Sequence, residues 1–168
     1  GKTVISTNKN NTEGLSTLNN MVLKWGEEQI FSVEEYQIII KAVPAYHASN
    51  YIMQKIVGKV NGYQITIKSP SLTKVIYFTG DTVLYSKLTK NIPQNIDVIF
   101  ANLGAVKSGS FGGPFTMDLE MLKQMESLLK PKNVYPLHIE DYSHYKTTRK
   151  EVEAVGYKVL VAGDSISI

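Results

Sequence analysis

Cysteine is absent from this 168-residue chain. That excludes a disulfide framework, a thiolate metal site and a cysteine nucleophile. A chain without thiols suits either redox environment, so composition leaves the compartment open, with the cytoplasm as the working expectation. No apolar run approaches the roughly 20 residues a membrane span needs; the longest, Tyr36–Val43 and Lys74–Phe78, have strand length. Charge of one sign is also in short supply: 18 Lys and Arg against 15 Asp and Glu give a net charge of +3 and a pI of about 8.9. Arginine occurs once, at Arg149, and the lysines are scattered rather than interleaved with aromatics in a basic stripe. Nucleic acid is therefore not the expected partner. Gly1–Thr7 carries a single early lysine and no long apolar stretch follows it, unlike a secretory signal. The first residue is not methionine, which fits processing or a start inside a longer gene.

What is present is a globular balance of 43% hydrophobic and 20% charged residues, enough for one domain with a real core. Leu15, Leu18, Met21, Val22 and Trp25 fall at helical spacing, which predicts a helix over 12–25 stopped by Gly26. Gln29–Phe31 and Tyr36–Val43 read as strands. Gln54–Val60, an Asn61-Gly62 turn and Tyr63–Lys68 read as a hairpin, followed by a Ser-Pro-Ser turn and a strand at Lys74–Phe78. Asp97–Ala101 reads as a buried strand. Thr116–Lys130 is amphipathic, with Met121, Leu122, Met125, Leu128 and Leu129 on one face; Thr116 is the expected cap, and Pro131 ends the helix. Val134–Leu137 reads as a strand, His144–Val155 as a helix, and Tyr157–Ala162 with Ser165–Ile168 as a closing hairpin. A β-rich first part followed by alternating strands and helices predicts an α/β fold with mixed sheets covered by helices.

The chain has three histidines, His47, His138 and His144. His47 follows the isoleucine-rich strand through Pro44-Ala45-Tyr46, His138 follows Val134–Leu137, and His144 comes shortly after. Asp81 stands where an apolar strand runs into Thr79-Gly80-Asp81-Thr82, with Gly80 allowing a sharp turn. Two imidazoles and a carboxylate from three strand ends suit zinc, manganese or iron. Each residue also has a plainer role open to it: a hydrogen-bonded loop histidine, a turn aspartate bonding its own backbone, a helix-start His144. Gly109–Gly113 precedes the amphipathic helix, whose N-terminus is a candidate anion site beside the plainer reading of a flexible loop.

Taken in order, Val43-Pro-Ala-Tyr-His47, Val75-Ile-Tyr-Phe-Thr-Gly-Asp81-Thr82 and Val134-Tyr-Pro-Leu-His138 resemble the later motifs of the metallo-β-lactamase superfamily. The branch they most resemble includes ascorbate-6-phosphate lactonase-like proteins and N-acylphosphatidylethanolamine phospholipase D. Asp97–Gly104, Gly113–Asp118 and Gly163–Ile168 are similar to further segments of that branch. The resemblance implies a four-layer αββα sandwich with a one- or two-metal site along one edge of its sheets. By position, His47 resembles the histidine ligand of the first metal, Asp81 the carboxylate bridging both, and His138 the histidine of the second. It implies a metal-dependent hydrolase of small molecules, in which an activated water attacks a lactone, an amide or a phosphodiester, with zinc as the expected metal and manganese or iron as alternatives. Asp81 is then the catalytic carboxylate. His144 is a candidate to face the substrate, with a supporting or helix-start role equally open.

One departure from the pattern is large. The family's His-x-His-x-Asp-His signature is absent, because no histidine precedes His47. The chain therefore resembles the C-terminal portion of the fold, incomplete at its N-terminus, and is expected to be inactive alone, since neither metal reaches three or four protein ligands. The competing expectation is a non-catalytic, degenerate or half-fold module that pairs with another chain. A nucleic-acid enzyme of the same superfamily is a third reading, favoured only by the pI. A sandwich lacking strands leaves edges uncovered, which predicts self-association by strand exchange.

Overall fold

The computed structural model describes residues 2–7, 18–85, 88, 92, 94–107 and 113–168. Runs rich in β-branched and aromatic residues along Glu28–Val33 (β3), Tyr36–Ala45 (β4), Val60–Ser69 (β5) and Leu72–Phe78 (β6) build an antiparallel meander. Val98–Asn102 (β7) and Asn133–Leu137 (β8) then add parallel to β6, completing a six-stranded mixed sheet in the order β3-β4-β5-β6-β7-β8. Thr3–Ser6 (β1) and Asn19–Val22 (β2) form a separate parallel pair. Three helices complete the described elements: Tyr51–Val57 (α1), Leu119–Leu129 (α2) and Arg149–Ala154 (α3). None is long and apolar enough to cross a membrane.

The period-2 alternation of strands divides the large sheet into two unlike faces. On one, Val75, Tyr77, Ile99 and Ala101 meet Leu122 and Met125 of α2 and Val152 of α3, all buried, to form the core. On the other, Phe78 stacks on Phe100 at 4.6 Å and Phe100 on Tyr135 at 5.8 Å. Beside them Ile5 of β1 shares a cavity of about 280 Å³ with Ile40, Tyr63, Ile65 and Phe78. The expected mixed α/β class is what forms, with the small β1–β2 sheet lying against the face opposite the helices.

Several sequence expectations are corrected. Asn19–Val22 is strand, not the end of a helix, because pairing with Thr3–Ser6 overrides the helical spacing. The first half of that predicted helix lies outside the described residues. Gln54–Val60 is not a strand: residues 51–57 are helical, because the Asn50 side chain accepts the Ile52 N–H at 2.8 Å and Gly58, at φ +84°, ends the turn. Asn61-Gly62 is no hairpin turn but lies inside β5, opposite Pro44 and Val43. A Cβ on Gly62 would stand 2.9 Å from the Thr79 carbonyl oxygen, so the glycine serves a close backbone approach.

The amphipathic helix begins at Leu119, capped by Asp118, whose carboxylate accepts the Met121 N–H at 3.0 Å. Thr116 is not the cap; its hydroxyl accepts the Val106 N–H instead. The helix expected from His144 starts only at Arg149, behind a Thr148–Glu151 capping box. The closing hairpin does not form. Its turn exists, with Val161 N–H on the Asp164 carboxylate at 3.0 Å, but the flanking residues pair with no strand.

Asp97 joins the parallel strands to what surrounds them. Its buried carboxylate accepts the Val75 N–H at 2.8 Å and the Lys132 ammonium at 2.7 Å, with Lys74 at 3.8 Å. Burial alone raises this carboxyl, but the Lys132 and Val75 hydrogen bonds and the two lysine charges outweigh it and hold the pKa below its ordinary 3.8. Because the folded value is depressed, the stabilisation is full above the unfolded value and is lost as pH falls through the folded one. Asp97→Asn should cost about 1.5–3 kcal/mol at neutral pH. Urea melts from pH 7 down to pH 2 should show that difference shrinking at the acid end; a constant difference would mean the charge is not responsible.

Candidate functional site

The residues singled out in the sequence sit at the ends of β4, β6 and β8, where the loops of an α/β sheet converge. Two of these loops are stitched together. The Tyr46 N–H donates to the Thr82 hydroxyl at 2.8 Å, and the Val83 N–H to the Tyr46 carbonyl at 2.9 Å. His47 and Asp81, the residues beside these bonds, thereby line one cavity of about 310 Å³ together with Phe115, His144 and Tyr145. Gly80 makes the turn into Asp81 at φ +60°, and a Cβ there would lie 2.5 Å from the Asn61 carbonyl oxygen. Only glycine fits.

Asp81 is held by a neighbour the sequence did not mark: the Asn102 amide, at the end of β7, donates to its Oδ1 at 2.9 Å. Asn102 is itself fixed, because its backbone N–H donates to the Thr79 hydroxyl at 3.0 Å. His138 Nε2 lies 3.8 Å from the same Asp81 oxygen. His138 adopts φ +58° and Glu140 φ +59°, a left-handed backbone that costs a side-chain-bearing residue on the order of 1 kcal/mol or more. Strain of this kind persists where the surroundings over-determine a conformation.

Both imidazoles are tethered through Nδ1. His47 Nδ1 is 2.9 Å from the Phe115 carbonyl, which can only accept. His138 Nδ1 is 2.5 Å from the Asp141 carboxylate. In the neutral form of each ring the lone pair is therefore on Nε2, the arrangement in which a second hydrogen bond orients a metal-binding histidine. At His138 the Tyr145 hydroxyl occupies that lone pair as a donor. Burial pushes the Tyr145 phenol up to about 12, with the Asp81 and Asp141 carboxylates and Tyr142 adding to it. The proton stays on the phenol through neutral pH.

His144 is exposed and belongs to no helix; its ring stacks on Tyr142 at 5.6 Å and meets Tyr145 edge-on at 5.0 Å. The residues that sequence reasoning missed are Asn102, Asp141 and Tyr145, and each acts through a partner distant in sequence or across a loop. Asp141, three residues after His138, was the most accessible of them. The candidate anion site at 109–113 lies largely outside the described residues.

The donors suit a cation in type and in orientation, but not yet in number. Among the described residues no three His, Cys, Asp or Glu side chains gather closely enough to hold one ion. Asp81 and His138 form a pair, and His47 lines one cavity with Asp81.

A fold with a strand-end site of imidazoles and a carboxylate defines a class, and comparison with known proteins places the chain in it. Residues 4–139 match the family described as the beta-lactamase superfamily domain, and the chain belongs to that family. It is similar to a UPF0173 metal-dependent hydrolase of Pyrococcus abyssi, 28% identical over 127 residues, covering 74% of this chain and 51% of that protein. A metal-dependent hydrolase of Carboxydothermus hydrogenoformans is 32% identical over 107 residues, covering 61% of this chain and 41% of that one. The chain thus spans about half the length of the curated relatives it matches. In fold it resembles a possible metal-dependent hydrolase from Veillonella parvula, with a TM-score of 0.73 at 15% identity, over 99% of this chain and 66% of that one. The isothiocyanate hydrolase from Delia radicum gut bacteria gives a TM-score of 0.67 at 19% identity, over 91% and 60%.

The tethers make a direct prediction. Asp141→Asn should shift the His138 tautomer balance, and Tyr145→Phe should free its Nε2. Nitrogen-15 NMR of the ring nitrogens should show both changes at His138 while His47 stays as in the wild type. An unchanged His138 spectrum in both variants would refute the assigned contacts.

Proposed function

We propose that this chain is part of a metal-dependent hydrolase of the β-lactamase fold, with His47, Asp81 and His138 as donors to its metal centre. One observation carries the reading: two histidines from different strand ends are each anchored at Nδ1 by an acceptor, His138 within 3.8 Å of a carboxylate whose direction Asn102 fixes and His47 lining one cavity with that carboxylate. Zinc is the expected metal, with manganese or iron as alternatives, since imidazole and carboxylate suit all three. When bound, such an ion activates water and stabilises developing negative charge. This chain's own side chains have other tasks. Asp81 and His138 present donors 3.8 Å apart, the Asp141 and Phe115 acceptors fix the two rings, and His144 at the cavity wall faces the substrate. That substrate is a small molecule with a lactone, amide or phosphodiester bond, as in the branch its motifs resemble.

The donors present fall short of three on one ion, so the chain alone should bind metal weakly and leave such substrates intact. Zinc titration followed by histidine NMR should shift His47 and His138 together, with the response lost in Asp81→Ala. After desalting, elemental mass spectrometry should find much less than one ion per chain. Shifts at His144 alone would sink the assigned ligands; chelator-sensitive turnover would sink the inactivity.

A second reading, a half-fold that pairs with another chain, is favoured by the sheet face opposite the helices. Phe31, Ile38, Ile40, Ile65 and Phe78 are only partly covered there, and Val33 on the same face of the edge strand β3 is 52% exposed. Light scattering across a concentration series should give a mass rising above 18.7 kDa. A constant monomer mass at high concentration would dismiss this reading.

A further inference from the structure

His47 is a wall shared by two cavities. The second is larger, about 410 Å³, and is lined by residues of helix α1 and by the aromatic side chains Trp25, Tyr46 and Tyr85. The aromatic wall is built rather than incidental. Tyr46 packs on Trp25 at 5.5 Å and on Tyr85 at 5.0 Å, and the Trp25 indole is fixed by donating to the Val60 carbonyl at 2.8 Å. The rim has one sign of charge. Lys55 and Lys59 line the cavity, and among the described residues no carboxylate does. Their ammonium groups lie 4.9 Å from the Tyr51 ring centre and 5.2 Å from that of Trp25. Among the described residues neither lysine has an ion-pair partner.

We propose that this cavity binds a small amphiphilic anion, an aryl or short acyl body seated against Trp25, Tyr46 and Tyr85 with its anionic group paired to Lys55 and Lys59. Each half of the recognition has its own cause. Rigid aromatic faces bury an apolar body with little loss of side-chain freedom, and the volume is that of a small-molecule site. The two cations sit over ring faces without a carboxylate partner, so an incoming anion need displace none. Because His47 also borders the first cavity, the bound body would lie next to the one that Asp81 lines. The ligand would therefore be the substrate, a step that rests on the hydrolase reading, whereas binding itself needs no metal.

Trp25 is the single tryptophan, so its emission reports occupancy of this cavity alone. The whole chain, kept in chelator, is titrated with 4-phenylbutyrate while emission is excited at 295 nm. A saturable change is expected. The affinity should fall at least tenfold in Lys55→Ala/Lys59→Ala, and 4-phenylbutylamine should bind at least tenfold more weakly than the carboxylate. Both lysines are exposed, so the double variant should melt like the wild type; circular dichroism checks this, and Lys55→Gln/Lys59→Gln repeats the test with the side-chain stems retained. No saturable response, or equal binding of the amine, or unchanged affinity in both double variants, would overturn the proposal. Histidine NMR separates it from the hydrolase reading. A 4-phenylbutyrate shift at His47 with no zinc response would leave the binding site standing and remove the metal, and the converse result would do the opposite.

Discussion

The close approach of β5 to the end of β6 is the constraint on which the site depends. A Cβ on Gly62 would stand 2.9 Å from the Thr79 carbonyl oxygen and 3.0 Å from that of Phe78, and one on Gly80 would stand 2.5 Å from that of Asn61. Neither approach tolerates a side chain. Beyond it the chain leaves β6 so that Thr79 reaches β7, Asp81 reaches Asn102, and Thr82 reaches Tyr46. Three strand ends are thereby tied together by hydrogen bonds that begin within four consecutive residues. A longer, looser turn would leave Asp81 free of both Asn102 and the His47 loop.

Around that fixed carboxylate the polar side chains are arranged in pairs, each group held by a second. Asn102 holds Asp81, Asp141 holds His138, and the Phe115 carbonyl holds His47. Such support narrows the orientations a ring or carboxylate can adopt, at the expense of backbone strain at His138 and Glu140. These pairs account for the rigidity of the group at the strand ends.

Much of this was legible in the sequence, and the misses share a cause. The strands over 36–43, 63–68 and 74–78, the α2 amphipathic face and the strand-end positions of His47, Asp81 and His138 follow from local pattern. What failed was local signal overruled by a distant partner. Asn61-Gly62 has the chemistry of a turn, yet Thr79 claims the glycine for a close approach. Residues 51–57 have isoleucine and valine enough for a strand, yet the Asn50 cap and Gly58 stop make them a helix. The partners of the site residues were invisible for the same reason: Asn102 stands 21 residues from Asp81, and Phe115 stands 68 from His47.

Helix α1 has a consequence for motion. It buries none of its residues, and Ile52 and Ile56 are 66% and 69% exposed. Among the described residues its side-chain hydrogen bonds are the Asn50 cap and one from the Gln54 amide to the Ala48 carbonyl. Local opening of such an element costs far less than global unfolding, because little apolar contact is lost. The aromatic cavity thus has a stiff wall, carried on the sheet, and a soft one. An element held in this way opens before the sheet does, so the soft wall gives a ligand its way in while the strand ends keep their positions.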